Sequence, residues 1–253
     1  MKLRVLSVDF NLEGQGIKNV SFWKAPSLSD YDVVIIDPKQ ISDIWANSIG
    51  PKDDGSLWSY SLYDKGFGNN IIKNLNGKEK EIELLLNVTG GILICIVRQK
   101  GRVLNLAESS YSKDNGSVIN KYSWFPNSKL YPYQFFPVDR LGETINLLDK
   151  KHPFAPFISA LSSDICYEAI IDSKIKKIAK PIAANKVGEL ISCEVPFGKG
   201  KIVFLPPLKS IEQLKVSGIL IDCIRRSLHW TEPLKKPHWI TKYSLAKEKT
   251  IKS

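Results

Sequence analysis

Three charged side chains close apolar runs in the first hundred residues. Asp9 ends LRVLSVD (Leu3–Asp9), Asp37 ends the run that starts at Asp32, and Arg98 follows ILICIV (Ile92–Val97). Each run reads as a β-strand, and in open parallel sheets ligands bind outside the carboxyl ends of the strands. If the three strands are neighbours, two carboxylates and one guanidinium meet at one sheet edge. Two readings follow. One is an ion-paired strand terminus. The other is a pocket for a small polar or anionic ligand, with Asp9 or Asp37 as general base.

Other constellations are weaker. Gly14-Gln15-Gly16 follows the first strand, and Asp37 lies 21 residues beyond Gly16, a spacing that echoes a dinucleotide fingerprint. Asn19 stands where the third glycine belongs, and VSFWKAPSL has no helical periodicity to supply a phosphate-binding helix start. Gly14 and Gly16 therefore also read as two permissive residues in a flexible loop. There is no G-x-S-x-G elbow and no P-loop. His152, His229 and His238 lack H-x-x-x-H spacing and sit beside Lys, Trp or Pro, which favours surface or capping roles over metal ligation. Cys95, Cys166, Cys193 and Cys223 form no C-x-x-C pair and lie in apolar segments, so reduced, buried thiols are expected. No metal and no cofactor is expected.

The elements that would position these residues alternate in type. Asp32–Asp37 contains four consecutive β-branched residues and ends at Pro38, as a strand covered on both faces does. Residues 48–70 read as loop. Lys78–Val88 reads as an amphipathic helix stopped by Gly90-Gly91, with ILICIV directly after it. Residues 105–140 read as an irregular insertion. Its aromatic run Tyr122–Phe136 carries Pro126 and Pro132, and Pro137 follows it, which forbids a long helix. That run is flanked by Lys121, Lys129 and Arg140 and reads as a self-packed loop. Leu141–Leu148 reads as a short helix. Strands are expected at Ile165–Ile171, Ile178–Asn185, Glu189–Val195 and Lys201–Leu205, the last two joined by a turn at Phe197–Gly200. Ile211–Trp230 reads as a buried helix, and residues 231–253 as a basic Pro/Trp-containing tail or linker.

Composition sets the class. At 253 residues, 43% hydrophobic and 25% charged, the chain is long enough for a core of its own and too apolar for wholesale disorder. No apolar run reaches about 18 residues, and MKLRVLSVDFN lacks signal-peptide features. A cytoplasmic protein with no membrane partner is expected. The net charge of +10 is uneven: residues 1–150 carry 18 basic and 17 acidic side chains, residues 151–253 carry 18 and 9. A lysine-rich solvated surface accounts for this. So does an anionic partner, and Lys174, Lys176, Lys177, Lys180, Arg225, Arg226, Lys235 and Lys236 are the candidate nucleic-acid contacts.

Two stretches carry a resemblance. One is the Lys78–Val88 helix with Thr89-Gly90-Gly91 and ILICIV. The other is PIAANKVGELISCEVPFGKGKIVFLPP followed by a buried helix. Together they resemble the flavodoxin-like sheets of the class I glutamine amidotransferase-like superfamily. There a Gly-Gly turn leads into a central strand, and a glycine–basic–glycine hairpin precedes a late strand and a closing helix. The resemblance covers about half the chain. Active members carry a G-x-C-x-G nucleophile on a strand-to-helix turn and a late His-x-Glu pair. Here Cys95 lies between isoleucines, and His229 is followed by Trp230 and Thr231. The resemblance thus implies a non-catalytic relative.

The expected architecture is an open, mostly parallel, flavodoxin-like α/β sheet flanked by helices, with an aromatic loop insertion and a C-terminal hairpin plus buried helix. Residues 1–230 would form one domain. The expected function is a non-catalytic scaffold or interaction domain with a protein partner. The alternatives are a small-molecule hydrolase or transferase with a strand-end carboxylate, and a nucleic-acid-binding protein.

Overall fold

The computed structural model describes residues 3–14, 16–37, 60–61, 77–98, 111–114, 117–120, 135–142, 144–172, 175, 177–209 and 213–228. The aromatic run to residue 134, most of the 48–70 loop and the tail beyond residue 228 lie outside them.

An eight-stranded open sheet organises the chain. Its parallel half is β1 (Val5–Val8), β2 (Ile17–Val20), β3 (Val33–Ile36), β5 (Ile92–Ile96) and β13 (Gly200–Leu205), in the spatial order β2-β1-β3-β5-β13. Beyond β13 the sheet continues antiparallel through β12 (Leu190–Phe197), β11 (Lys180–Ala184) and the two-residue β9 (Asn146–Leu147). The expected sheet is present, but its second half is antiparallel. Two smaller sheets are separate: β4 (Tyr60–Ser61) with β6 (Tyr111–Asp114) and β7 (Ser117–Asn120), and β8 (Phe135–Gly142) with β10 (Tyr167–Ile171).

The continuous apolar runs are explained by cover on both faces. Alternate residues of one strand enter different cores, with Val34 and Ile36 on one face and Val33 and Ile35 on the other. The first face is covered by helix α1 (77–88), through Ile82, Leu85 and Leu86, and by the turn holding Leu28. The second is covered by α2 (Ala155–Ala160) and α3 (Gln213–Ser227), through Phe157, Ile158, Val216, Leu220 and Ile224.

The two glycine motifs meet. The last turn of α1 widens into a π-turn at Leu84–Val88, and Gly90 (φ 69°) then reverses the chain into β5. A Cβ on Gly200 would run into the Gly91 carbonyl, so the Gly-Gly turn and the β12–β13 hairpin need bare backbone where they touch. The hairpin has the expected tight form, Phe197 pairing with Gly200 across Gly198-Lys199.

Three segments differ from expectation. The flexible loop expected around Gly14 and Gly16 leads straight into Ile17–Val20, which pairs in register with β1 as an edge strand; its polar Lys18, exposed, and Asn19, bonded back to the Leu12 backbone, hid it. The link before it, residues 9–16, is too short for a helical crossover of about a dozen residues or more. It instead buries Phe10 and Leu12 on the α3 face, with the Glu13 N–H donating to Ser217 Oγ at 2.8 Å. Leu141–Leu148 is not helical, since it holds the end of β8 and β9. The 105–140 insertion contains strands β6, β7 and most of β8. Among the described residues no helix is long and apolar enough to cross a membrane.

Candidate functional site

The carboxyl ends of β1, β3 and β5 lie side by side, and the backbone ladder runs one residue past each strand. The Asp9 N–H donates to Val20 O at 3.0 Å, Asp37 N–H to Val8 O at 3.1 Å, and Val97 N–H to Leu205 O at 2.8 Å. Asp9, Asp37 and Arg98 therefore converge at one sheet edge, as the strand ends require. Arg98 is buried and donates through Nε to Asp37 Oδ1 at 2.9 Å and through Nη2 to Asp37 Oδ2. Its Nη1 donates to Glu168 Oε1 at 3.0 Å. Asp37 and Glu168 are themselves only 4% and 7% exposed, so the ion triad is out of water. Burial alone would lower the guanidinium pKa. The hydrogen bond and charge of Asp37, with Glu168 behind them, outweigh it and raise it.

Glu168 went unrecognised in the sequence. It reaches Arg98 because the chain crosses back over this edge: Cys166 N–H donates to Pro207 O at 3.0 Å, and Ile165 bridges Leu208. Its one signal is a lone acid in the apolar run YEAII. Asp9 is different in kind. It is half-buried, adopts a left-handed backbone (φ 54°) and accepts the Phe22 N–H at 3.2 Å. Burial raises its pKa to about 6; the Phe22 hydrogen bond opposes that rise and the Asp37 charge adds to it. Asp9 can thus exchange a proton near neutrality, whereas Arg98 has its fork closed by carboxylates.

Gly14 and Gly16 do not join this edge. Val5 N–H donates to Gly16 O at 3.0 Å, and Ile17 pairs with Val5, which places both glycines at the amino end of the parallel strands. Gly16 leads into a strand rather than a helix, so the dinucleotide echo with Asp37 is corrected: a strand start offers no phosphate-binding helix dipole.

A second charged cluster lies on β12, level with the middle of the parallel strands, and reaches their amino end through Lys201. Glu194 on β12, 4% exposed, sits between Lys201 Nζ (3.1 Å) and Lys180 Nζ (3.2 Å). Lys201 also donates to the Ser227 carbonyl at 3.1 Å. Burial alone would raise the Glu194 pKa, but the two lysines hold it below the ordinary carboxylate value. His152 is buried, against the expected surface or capping role: its Nδ1 accepts the Phe154 N–H at 3.2 Å, but Phe154 is itself the N-cap of α2, which has no side-chain cap. Nε2 therefore carries the ring proton, 3.7 Å from Glu194 Oε2. Burial lowers the His152 pKa, with Glu194 and Asp149 pulling against it, so the ring is neutral at pH 7.

The remaining candidates differ in setting. Lys177 is exposed, Lys180 is engaged by Glu194, and Arg225 and Arg226 are exposed on the last turn of α3, Arg225 lying 3.8 Å from Asp222. Lys174, Lys176, Lys235 and Lys236 lie outside the described residues. All four cysteines are buried thiols. Burial pushes Cys193 up to about 12 and Cys223 up to about 11. Among the described residues no cluster of His, Cys, Asp and Glu has the makings of a metal site.

No protein-family model matches the chain, and no curated protein does. In structure it is similar to a cytoplasmic protein of Salmonella typhimurium, at 13% identity and TM-score 0.49, over 88% of this chain and 98% of that one. It is also similar to part of a cold-adapted β-galactosidase from Rahnella, at 11% identity and TM-score 0.43. That match covers 93% of this chain and 32% of the galactosidase. A β-galactosidase from Bacillus circulans matches at 10% identity and TM-score 0.40, over 90% of this chain and 31% of that one.

Proposed function

We propose that the chain is a non-catalytic α/β scaffold or interaction domain, cytoplasmic and working with a protein partner in a larger assembly. Its sheet is flavodoxin-like, akin to non-catalytic relatives of the class I glutamine amidotransferase-like superfamily. The order β2-β1-β3-β5-β13 supports this, being the 2-1-3-4-5 arrangement of that class. The observation that carries the proposal is Arg98. At the carboxyl end of the central strand, where an active relative would mount its nucleophile, stands a guanidinium whose fork is filled by Asp37 and Glu168. Cys95 lies inside β5 with its side chain in the core, where no substrate reaches it.

The test pairs a glutaminase assay with thiol labelling. No ammonia should be released, and iodoacetamide should modify Cys95 only after denaturation. Ammonia release that disappears in Cys95→Ser with the fold intact would remove the proposal. The partner is sought by chemical crosslinking of the full chain in its host cell, where a defined complex should survive gel filtration.

One observation favours a second reading, a small-molecule hydrolase or transferase. Asp9 combines a pKa near 6 with a strained backbone at a strand carboxyl end, as a general base would. Under that reading Asp9→Asn abolishes turnover of a responsive ester or phosphoester substrate. Under the scaffold reading no member of such a substrate panel is turned over.

A further inference from the structure

We infer that the amino end of the sheet is a docking face for the phosphate backbone of a nucleic acid. Six exposed cations surround the Glu194 cluster: Lys199, Arg225 and Arg226 at the amino end itself, and Lys150, Lys151 and Lys180 on and beside the adjoining antiparallel strands. The Glu194 cluster ties their supports together. Lys180 opens β11 and binds Glu194 directly. Lys199 forms the β12–β13 turn, two residues before Lys201, which binds both Glu194 and the Ser227 carbonyl. Ser227 follows Arg225 and Arg226 at the end of α3, and His152, beside Glu194, follows Lys150 and Lys151. The fold thus brings beside one cluster six of the cations that the sequence spreads over residues 150–226, while Lys186, Lys209 and Lys215 lie toward the other end of the sheet.

The acids nearby do not cancel this positive charge. Glu194 is buried and already shared by two lysines, and among the described residues the exposed acids flanking the six cations are Asp149 and Asp222. Arg225 and Arg226 also complement the α3 dipole, yet both remain exposed and able to fork onto a phosphate. The cations form a row rather than a ring. They run from the loop beside β11, across strand starts spaced about 4.8 Å apart, to the end of α3. A row of fixed cations suits a linear polyanion, whose condensed counterions are released as phosphates are neutralised. The inference is independent of any chemistry at the carboxyl end.

The test is fluorescence anisotropy of the full chain with a labelled 20-base-pair duplex and a labelled 20-nucleotide single strand, titrated across salt. Affinity should fall steeply, with a log–log slope of roughly −3 to −5. Arg225→Glu with Arg226→Glu, and separately Lys150→Glu with Lys151→Glu, should each weaken binding about tenfold or more and flatten the slope by about 2. Lys18→Glu with Lys24→Glu makes the same charge change on and beside the far edge strand and should have little effect. Thermal melts show that each variant is folded. Equal weakening by the control pair would overturn the inference, since net charge alone would then account for binding. So would unchanged binding in both face variants, no binding at low salt, or saturable binding to phosphatidylserine vesicles but not to either oligonucleotide.

Discussion

At the carboxyl end of the parallel strands a buried guanidinium sits between two carboxylates; toward the amino end a buried carboxylate sits between two ammonium groups. The difference lies in solvent. Arg98, Asp37 and Glu168 are all nearly dry, with side chains 9%, 6% and 8% exposed, so their charges compensate one another away from water. Around Glu194 the acid and the neutral His152 are dry but both cations reach water: Lys180 is 68% exposed and Lys201 is 22% exposed. The first cluster is internal and fixes the fold where strand ends, β10 and the core meet. The second has its charge facing outward, which leaves it available to a partner.

The largest effect should follow from breaking the dry triad. Arg98→Met leaves Asp37 and Glu168 buried beside each other without their cation, and removing one partner of a buried ion pair costs about 3–5 kcal/mol. Urea denaturation should report a loss of that size. A loss below about 1 kcal/mol, the scale of a surface pair, would mean that water reaches the carboxyl end and that it is an open site rather than a lock.

Much of this end was legible before any coordinates. Asp37 and Arg98 each stop an uninterrupted apolar run and Asp9 a mostly apolar one broken by Ser7, and only a strand covered on both faces can spend so many hydrophobic residues in succession. Their adjacency followed from pairing such strands in parallel. Glu168 and Glu194 were not found, because their partners come from distant elements: β10 crosses the edge only after the 105–140 insertion, and Lys180 meets Glu194 only through an antiparallel register. Both are lone acids inside apolar strands, YEAII and LISCEVPF, and that shared pattern marks a buried charge awaiting a cation. Edge strand β2 escaped for the opposite reason. An edge strand needs little hydrophobic content, so Ile17–Val20 reads as loop until its register with β1 is seen.

A middle-sized effect is expected at the other end. Glu194→Gln removes the charge between two lysines, but Lys180 stays solvated and Lys201 keeps its bond to the Ser227 carbonyl. The cost should be about 1–2 kcal/mol, a lost charged hydrogen bond rather than an orphaned buried ion. The same variant adds one net positive charge and should tighten oligonucleotide binding. A stability loss as large as that of Arg98→Met would erase the contrast between the two ends.

Cys95→Ser tests the core that both ends share. It places a hydroxyl in an apolar strand, and burying a polar group this way costs about 1–3 kcal/mol without touching either cluster. Stability unchanged by the substitution would show that β5 is less tightly covered than its burial indicates.

The smallest effect is a difference in sign with pH. Asp9 faces Asp37 and is raised from 3.8 to about 6 in the fold. The folded state therefore holds its proton more tightly, and the stability this confers below pH 4 is lost as pH rises towards 6. His152 faces Glu194, Asp149, Lys201 and Lys180, and its pKa is lowered from 6.5. There the unfolded chain takes the proton first, so stability is full above 6.5 and declines as pH falls below it. Between pH 6.5 and 4 the two ends should pull in opposite directions. Melting curves of Asp9→Asn and His152→Asn against the parent chain separate them. On acidification through this window the parent should gain stability relative to Asp9→Asn and lose it relative to His152→Asn. Parallel drifts in both variants would mean that one end, not both, carries the titration, and the solvent contrast between the clusters would have to be redrawn around it.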